Sequence, residues 1–212
     1  MSTVWKNLHE NYKGKDWIDK PSLFALSVTQ YIQPNSKILE LGAGQAQDSR
    51  YFAELDHTVT STDISEEAQD LARNKVTESL KDRVLFQVVD LRERFPYKDE
   101  SYDAVYAHLS IHYFDWEATK LLIDEIKRVL EPGGLFTFLA NSTSHPECGT
   151  GIMIEENYFK IGDAKKRFFD ISAAEELTKG FETILVDNLG ETHKDSKKGV
   201  HNLIRYVGRK TA

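Results

Sequence analysis

The chain has 212 residues, 40% of them hydrophobic and 29% charged, which is enough for one domain with a single buried core. Its formal net charge of −7 argues against a nucleic-acid partner, because phosphate affinity comes from clustered Lys and Arg. No apolar run approaches a membrane span, no signal-peptide pattern opens the chain, and the lone Cys148 rules out an internal disulfide, so a cytoplasmic protein without a membrane partner is expected.

Residues 4–19 combine Trp5, Tyr12 and Trp17 with several charges, and read either as a helix laid over the core or as a flap over a ligand. Pro21 opens a helix to Ile32, with Leu23, Leu26 and Phe24 on its buried side, and Pro34-Asn35 ends it. Strand one is 37–41, followed by a helix from Ala46 to Leu55 with Tyr51, Phe52 and Leu55 turned inward. Strand two runs from Thr58 to Thr62 and ends at Asp63. Ser65-Glu66-Glu67 is a helix start with its cap and acids in the first turn, and that helix reaches Val76. Arg83–Val89 and Tyr102–Ala107 are strands three and four. Trp116–Leu130 is a helix with Leu121, Leu122, Ile126 and Val129 at helical spacing, stopped by Pro132-Gly133-Gly134 before strand five, Leu135–Ala140.

This alternation predicts an α/β protein, Rossmann-like and doubly wound, with a mostly parallel seven-stranded sheet covered on both faces. The last two β-rich runs, Phe181–Leu189 and Val200–Gly208, are separated by a polar loop too short for a helical crossover, so they form an antiparallel hairpin. Residues 141–172 are too long to be a structureless connection and are expected to form a partly ordered lid. The chain thus divides into an N-terminal helical cap (1–35), a core (36–140), the lid-like insertion (141–172) and a C-terminal helix and hairpin (173–212), all in one domain.

The most informative stretch is Lys37-Ile38-Leu39-Glu40-Leu41-Gly42-Ala43-Gly44. An apolar strand stops at Gly42, and Gly44 allows a ligand to approach the backbone before a helix begins. Glu40 stands two residues before Gly42, where a phosphate site gains nothing from negative charge. Asp63 ends the next strand, where its carboxylate can take both ribose hydroxyls. Acid on both sides of the turn suits a ligand with a ribose and a positive charge but no phosphate, such as S-adenosyl-L-methionine.

Ile38–Gly44 resembles the first motif of the class I S-adenosylmethionine-dependent methyltransferases, and Asp63 matches their ribose-binding acid. Val89-Asp90-Leu91 resembles their adenine-binding segment, and Ser101–Ala107 and Arg128–Gly134 resemble the two later motifs. The resemblance implies S-adenosyl-L-methionine as cofactor, S-adenosyl-L-homocysteine as product and methyl transfer to a small-molecule acceptor. It implies cofactor contacts from Glu40, Gly42, Ala43, Gly44, Asp63, Ile64, Asp90, Leu91, Ala107 and His108. The tail around His193-Lys194, with Asn157-Tyr158-Phe159 and Lys166-Arg167-Phe168 upstream, is similar to the tellurite-resistance branch of small-molecule methyltransferases, where a His-Arg pair handles the oxyanion.

His108, His112 and His193 are the candidate catalytic bases for a hydroxyl or amine acceptor; a thiolate or a chalcogen oxyanion needs none. Trp17, Tyr113, Tyr158, Arg167, His193 and Lys194 are candidates for the substrate side. His108 and His112 at helical spacing would share a helix face, but no third ligand accompanies them and His145 and Cys148 stand apart, so no metal site is expected. The chain is expected as a monomer or homodimer. A nicotinamide-dependent oxidoreductase and a non-catalytic cofactor-binding scaffold or sensor are the alternatives.

Overall fold

The computed structural model describes residues 17–193 and 202–211. Helix α1 (Leu23–Val28) leads through a 3-10 turn into β1 (Lys37–Leu41), α2 (Gln47–Glu54), β2 (Thr58–Asp63), α3 (Glu66–Arg73) and β3 (Val84–Val88). Then come β4 (Tyr102–His108), α4 (Trp116–Val129), β5 (Leu130–Ala140), the short strands β6 (Ile152–Glu155), β7 (Tyr158–Ile161) and β8 (Ala164–Arg167), α5 (Ile171–Leu177), β9 (Phe181–Gly190) and β10 (Leu203–Lys210).

Seven strands form one sheet in the order β3-β2-β1-β4-β5-β10-β9. β1 pairs parallel with β2 and β4, β4 with β5, and β2 with β3, while β10 runs antiparallel between β5 and β9. The chain goes outward from β1 to β3, then returns to β4 on β1's other side. The strand order reverses there, and the crevice beyond the carboxyl ends of β1 and β4 is where such sheets bind ligands.

Both faces are covered, so the central strands are apolar without alternation. Ile38, Ala104, Tyr106, Leu135 and Leu139 pack on one face with Phe24 and Val28 of α1 and Phe52 of α2. Leu39, Leu41, Val105, Phe136 and Phe138 pack on the other with Leu122, Ile123, Ile126 and Val129 of α4 and with α5.

Helical spacing alone misassigned three leucines. Leu26, Leu55 and Leu121 are 47%, 40% and 67% exposed, because each sits at the margin of an apolar arc whose centre is held by Phe24, Phe52 and Leu122. The helix expected up to Ile32 already ends at Val28, and the one expected up to Val76 ends at Arg73. His108 and His112 do not share a helix: His108 ends β4, and His112 lies in the 3-10 turn Ile111–Tyr113.

The expected lid is an ordered antiparallel meander, β6-β7-β8, with two-residue connections at Glu156-Asn157 and Gly162-Asp163. Its inner side is fastened to the start of α4. The Tyr158 hydroxyl donates to the Tyr113 carbonyl at 3.1 Å, Arg167 Nε donates to the Phe114 carbonyl at 3.1 Å, and Glu155 Oε1 accepts the Trp116 amide at 2.7 Å.

Candidate active site

The crevice opens into a cavity of about 610 Å³, within the range of about 300–1,000 Å³ usual for small-molecule sites. Its floor is the β1–α2 turn. Gly42 and Gly44 hold φ angles of +70° and +55°, and Ala46 follows at +54°. A Cβ at Gly42 would lie 2.5 Å from Ser110 Cβ, so glycine is required there on two counts.

Asp63 is tied into this turn. Its Oδ2 accepts the Gly44 amide at 2.8 Å and its Oδ1 accepts the Ser65 amide at 2.9 Å, which fixes the carboxylate plane at the cavity wall. Each oxygen keeps a second lone pair for a ligand hydroxyl. Glu40 is buried, and the Ser49 hydroxyl donates to it. Burial, reinforced by the Asp48 and Asp63 carboxylates, raises its pKa well above the usual carboxylate range.

Asp48 was not anticipated. It lies in the first turn of α2, almost fully buried, and accepts from the Ser22 amide at 2.6 Å, the Ser22 hydroxyl at 2.8 Å and the Tyr106 hydroxyl at 2.6 Å. No linear motif joins Ser22, Asp48 and Tyr106; only the packing of α1 over β4 brings them together. Burial first, then Asp48, raises the Tyr106 pKa well above the ordinary phenol value, so the hydroxyl stays a donor.

Glu40, Asp48 and Asp63 therefore line the cavity together beside the glycine turn. The arrangement fits S-adenosyl-L-methionine: an acid for the ribose, a negative wall for a cation, and Ile64, Val89 and Leu91 as apolar lining for a base. It does not fit a pyrophosphate. The Gly44 amide, which would bind phosphate, already serves Asp63, and the carboxylates around the turn give an anion no compensating positive charge.

Asp90 lies at the cavity edge in a bidentate pair with Arg92, whose Nε donates to Oδ1 at 2.9 Å. The guanidinium hydrogen bond is the main reason its pKa is lowered. Ala43, Gly42, Gly44, Ile64, Leu91 and His108 all line the cavity. Ala107 does not; it lies on β4 with its side chain fully buried in the core.

On the far side, Trp17, Tyr113, Phe114, Asp115, Ala118, Tyr158 and the β7–β8 turn, Asp163–Lys165, form a second chamber. Thr192 and His193 close it. His193 Nε2 lies 2.9 Å from the Pro21 carbonyl. A carbonyl only accepts, so Nε2 is the donor nitrogen, which leaves Nδ1 as the position for an acceptor lone pair.

Two candidates fall elsewhere. His112 is buried outside the cavity lining, and burial, aided by the nearby Lys166 charge, lowers its pKa to about 3. Arg167 is 4% exposed and turned away, clamped by Glu155, the Phe114 carbonyl and the faces of Trp116 and Tyr158. Burial lowers its pKa to about 10. Of the expected His193-Lys194-Arg167 positive end, His193 reaches the cavity and Arg167 does not; Lys194, like Trp5 and Tyr12, lies outside the described residues. Among the described residues no group of three or more His, Cys, Asp or Glu could hold a metal ion, and no helix is long and apolar enough to cross a membrane.

Comparison with known proteins agrees with this geometry. A family model described as a methyltransferase domain matches residues 38–134, from β1 to the start of β5. The 27-O-demethylrifamycin SV methyltransferase of Amycolatopsis mediterranei is 28% identical over 63% of this chain and 51% of its own. The chain spans about half the length of the first curated relatives it matches, 51% and 48%. The fold is shared with the Burkholderia thailandensis 1,6-didemethyltoxoflavin-N1-methyltransferase, solved with S-adenosylhomocysteine, at a TM-score of 0.75 and 19% identity over 99% of this chain and 85% of that one. It is also shared with TehB of Haemophilus influenzae, at a TM-score of 0.68 and 21% identity over 88% and 61%. The domain match covers the segment that carries Glu40, the glycine turn, Asp63 and Asp90, and over residues 38–134 this chain is similar to methyltransferase domains.

Proposed function

We propose that this protein transfers a methyl group from S-adenosyl-L-methionine to a hydroxyl or amine of a small molecule bound in the aromatic chamber. The observation that carries the reading is continuity: one cavity runs from the acid-flanked glycine turn to the wall of Trp17, Tyr113, Phe114 and Tyr158. When bound, the cofactor supplies a methyl on a sulfonium sulfur, and the sulfur leaves as a neutral thioether.

The protein's part is alignment and exclusion of water. Asp63 takes the ribose hydroxyls and Asp90 the adenine amine, with Ile64 and Leu91 against the ring. Asp48 faces the cationic end, and Glu40, protonated in the unliganded protein, gives up its proton when that cation arrives beside it. The acceptor's carbon frame lies on the aromatic wall. His193, whose Nε2–H is engaged by Pro21, offers Nδ1 for the proton that an attacking hydroxyl or ammonium must lose. The acidic lining disfavours an oxyanion acceptor, and Arg167 is unavailable to bind one. The names of the rifamycin relative and the toxoflavin neighbour refer to an oxygen and a nitrogen position, in line with a protic acceptor. The single cysteine supports assignment to a reducing, cytoplasmic compartment.

The first test is melting with S-adenosyl-L-homocysteine and, separately, with NADH. Ligand at a hundred times its dissociation constant adds about 2.7 kcal/mol, which raises the midpoint by about 5–10 °C in a domain of this size. A shift with S-adenosyl-L-homocysteine alone is expected. A panel of phenols, amines, thiols and selenite then tests turnover. Cofactor binding with no methylated product from any acceptor would favour a non-catalytic scaffold.

A further inference from the structure

Ser110 lines the cavity against the glycine turn, and its surroundings are unusual. The residue before it, Leu109, holds φ +55°, a left-handed conformation that a bulky aliphatic residue rarely adopts. Such an outlier persists only where the surroundings impose it, and it clusters at ligand sites. Here the Leu109 amide donates to the Leu139 carbonyl of β5 at 2.9 Å, which holds the chain in the turn. The turn drives the Ser110 side chain against Gly42, in the space a Cβ there would fill.

Ser110 is 7% exposed and lines the cavity, yet its Oγ has no hydrogen-bond partner among the described residues. An unmet buried hydroxyl is costly, and native proteins seldom keep one without a use. Tyr113 and Phe114, three and four residues further on, line the same cavity, so the segment that starts at Ser110 leads into the aromatic wall. Thr192 lines the same cavity and has a second buried hydroxyl oxygen, Oγ1, without a partner among the described residues.

We infer that Ser110 is a specificity-determining residue whose hydroxyl hydrogen-bonds the polar atom of the methyl acceptor, selecting a flat, apolar molecule with an O–H or N–H over its purely hydrocarbon analogue. This rests on the proposed methyl-transfer reading, because the acceptor chamber is defined only with the cofactor over the glycine turn. A site built to hydrogen-bond a hydroxyl rejects the analogue lacking it, since its own polar group is then left unsatisfied.

The test uses the full chain saturated with S-adenosyl-L-homocysteine, with phenol and toluene as paired probes titrated by ligand-observed NMR. The wild type is expected to favour phenol over toluene by about three- to tenfold, the range of one neutral hydrogen bond. Ser110→Ala is expected to bind S-adenosyl-L-homocysteine as the wild type does and to lose that preference, while Ser110→Thr, which restores a hydroxyl, regains part of it. A preference unchanged in Ser110→Ala, or none in the wild type, overturns the inference. So does a fall in S-adenosyl-L-homocysteine affinity in Ser110→Ala, which would assign the hydroxyl to the cofactor. Failure of the wild type to bind S-adenosyl-L-homocysteine at all is a separate result, and overturns the methyl-transfer reading itself.

Discussion

The Gly44 amide donates to Asp63 Oδ2 over 2.8 Å, so the glycine turn after β1 and the acid at the end of β2 form one hydrogen-bonded piece. With Ser65 held on the other oxygen at 2.9 Å, the carboxylate cannot rotate away from the cavity. Asp63→Ala removes the ligand's acceptor and also releases both amides. Two charge-assisted hydrogen bonds are worth about 1.5–3 kcal/mol each, so S-adenosyl-L-homocysteine affinity should fall at least about 100-fold while cooperative unfolding persists. Isothermal titration of that variant within threefold of the wild type would refute the ribose assignment.

Glu40 sets a pH dependence with a definite sign. Its folded pKa is raised by burial and by Asp48 and Asp63. The unliganded native state therefore prefers the protonated acid, and its stability declines as pH rises above the ordinary glutamate value through the raised one. Glu40→Gln removes that decline. Urea denaturation at pH 5 and pH 8 should find the variant gaining on the wild type as pH rises, with weaker S-adenosylmethionine binding at both. Parallel curves would mean that Glu40 stays ionised without a ligand.

His112 acts in the other direction. Its pKa is lowered to about 3, so the fold favours the neutral ring and the unfolded chain takes up the proton first. Stability is full above the ordinary histidine pKa and is lost as pH falls from about 6.5 towards 3, by about 1.4 kcal/mol per pH unit. His112→Phe should flatten that acid limb. Its buried Nδ1 has no partner among the described residues, so the change should cost little at pH 7. An acid limb of undiminished slope in His112→Phe would count against this account.

Arg167 is the clamp between the meander and the chamber wall. Arg167→Met keeps much of the stem but removes the pair with Glu155 and the bond to the Phe114 carbonyl, at a cost of about 2–4 kcal/mol. The expected signature is split: S-adenosyl-L-homocysteine affinity unchanged, KM for the acceptor raised and proteolysis between β6 and β8 accelerated. Loss of cofactor affinity instead would mean that the meander supports the whole cavity.

The cofactor half was legible in the sequence because its chemistry is written in consecutive residues. A strand, two glycines and an acid at each side can be seen without a fold. What escaped was assembled across the chain. Ser22, Asp48 and Tyr106 meet only when α1 lies over β4, and Ser110 matters only because Gly42 leaves room for it. The meander did leave a trace. Asn157 and Gly162, with φ angles of +55° and +59°, mark the connections of two tight hairpins, and their spacing fits the strands between them. The misassigned leucines carry a different lesson: spacing identifies a helix, but only the neighbouring surface decides how wide its buried arc is.

The β7–β8 turn supplies Asp163, Ala164 and Lys165 to the chamber from a sheet that shares no strand with the main one. Its connection is two residues long, and Asp163 and Lys165 take no part in holding Asp63 or the glycine turn. The turn is thus an interchangeable cassette. The two connecting residues, 162 and 163, lie outside the strand pairing, which makes this turn, with β8 behind it, the natural place to diversify a library in search of new acceptors.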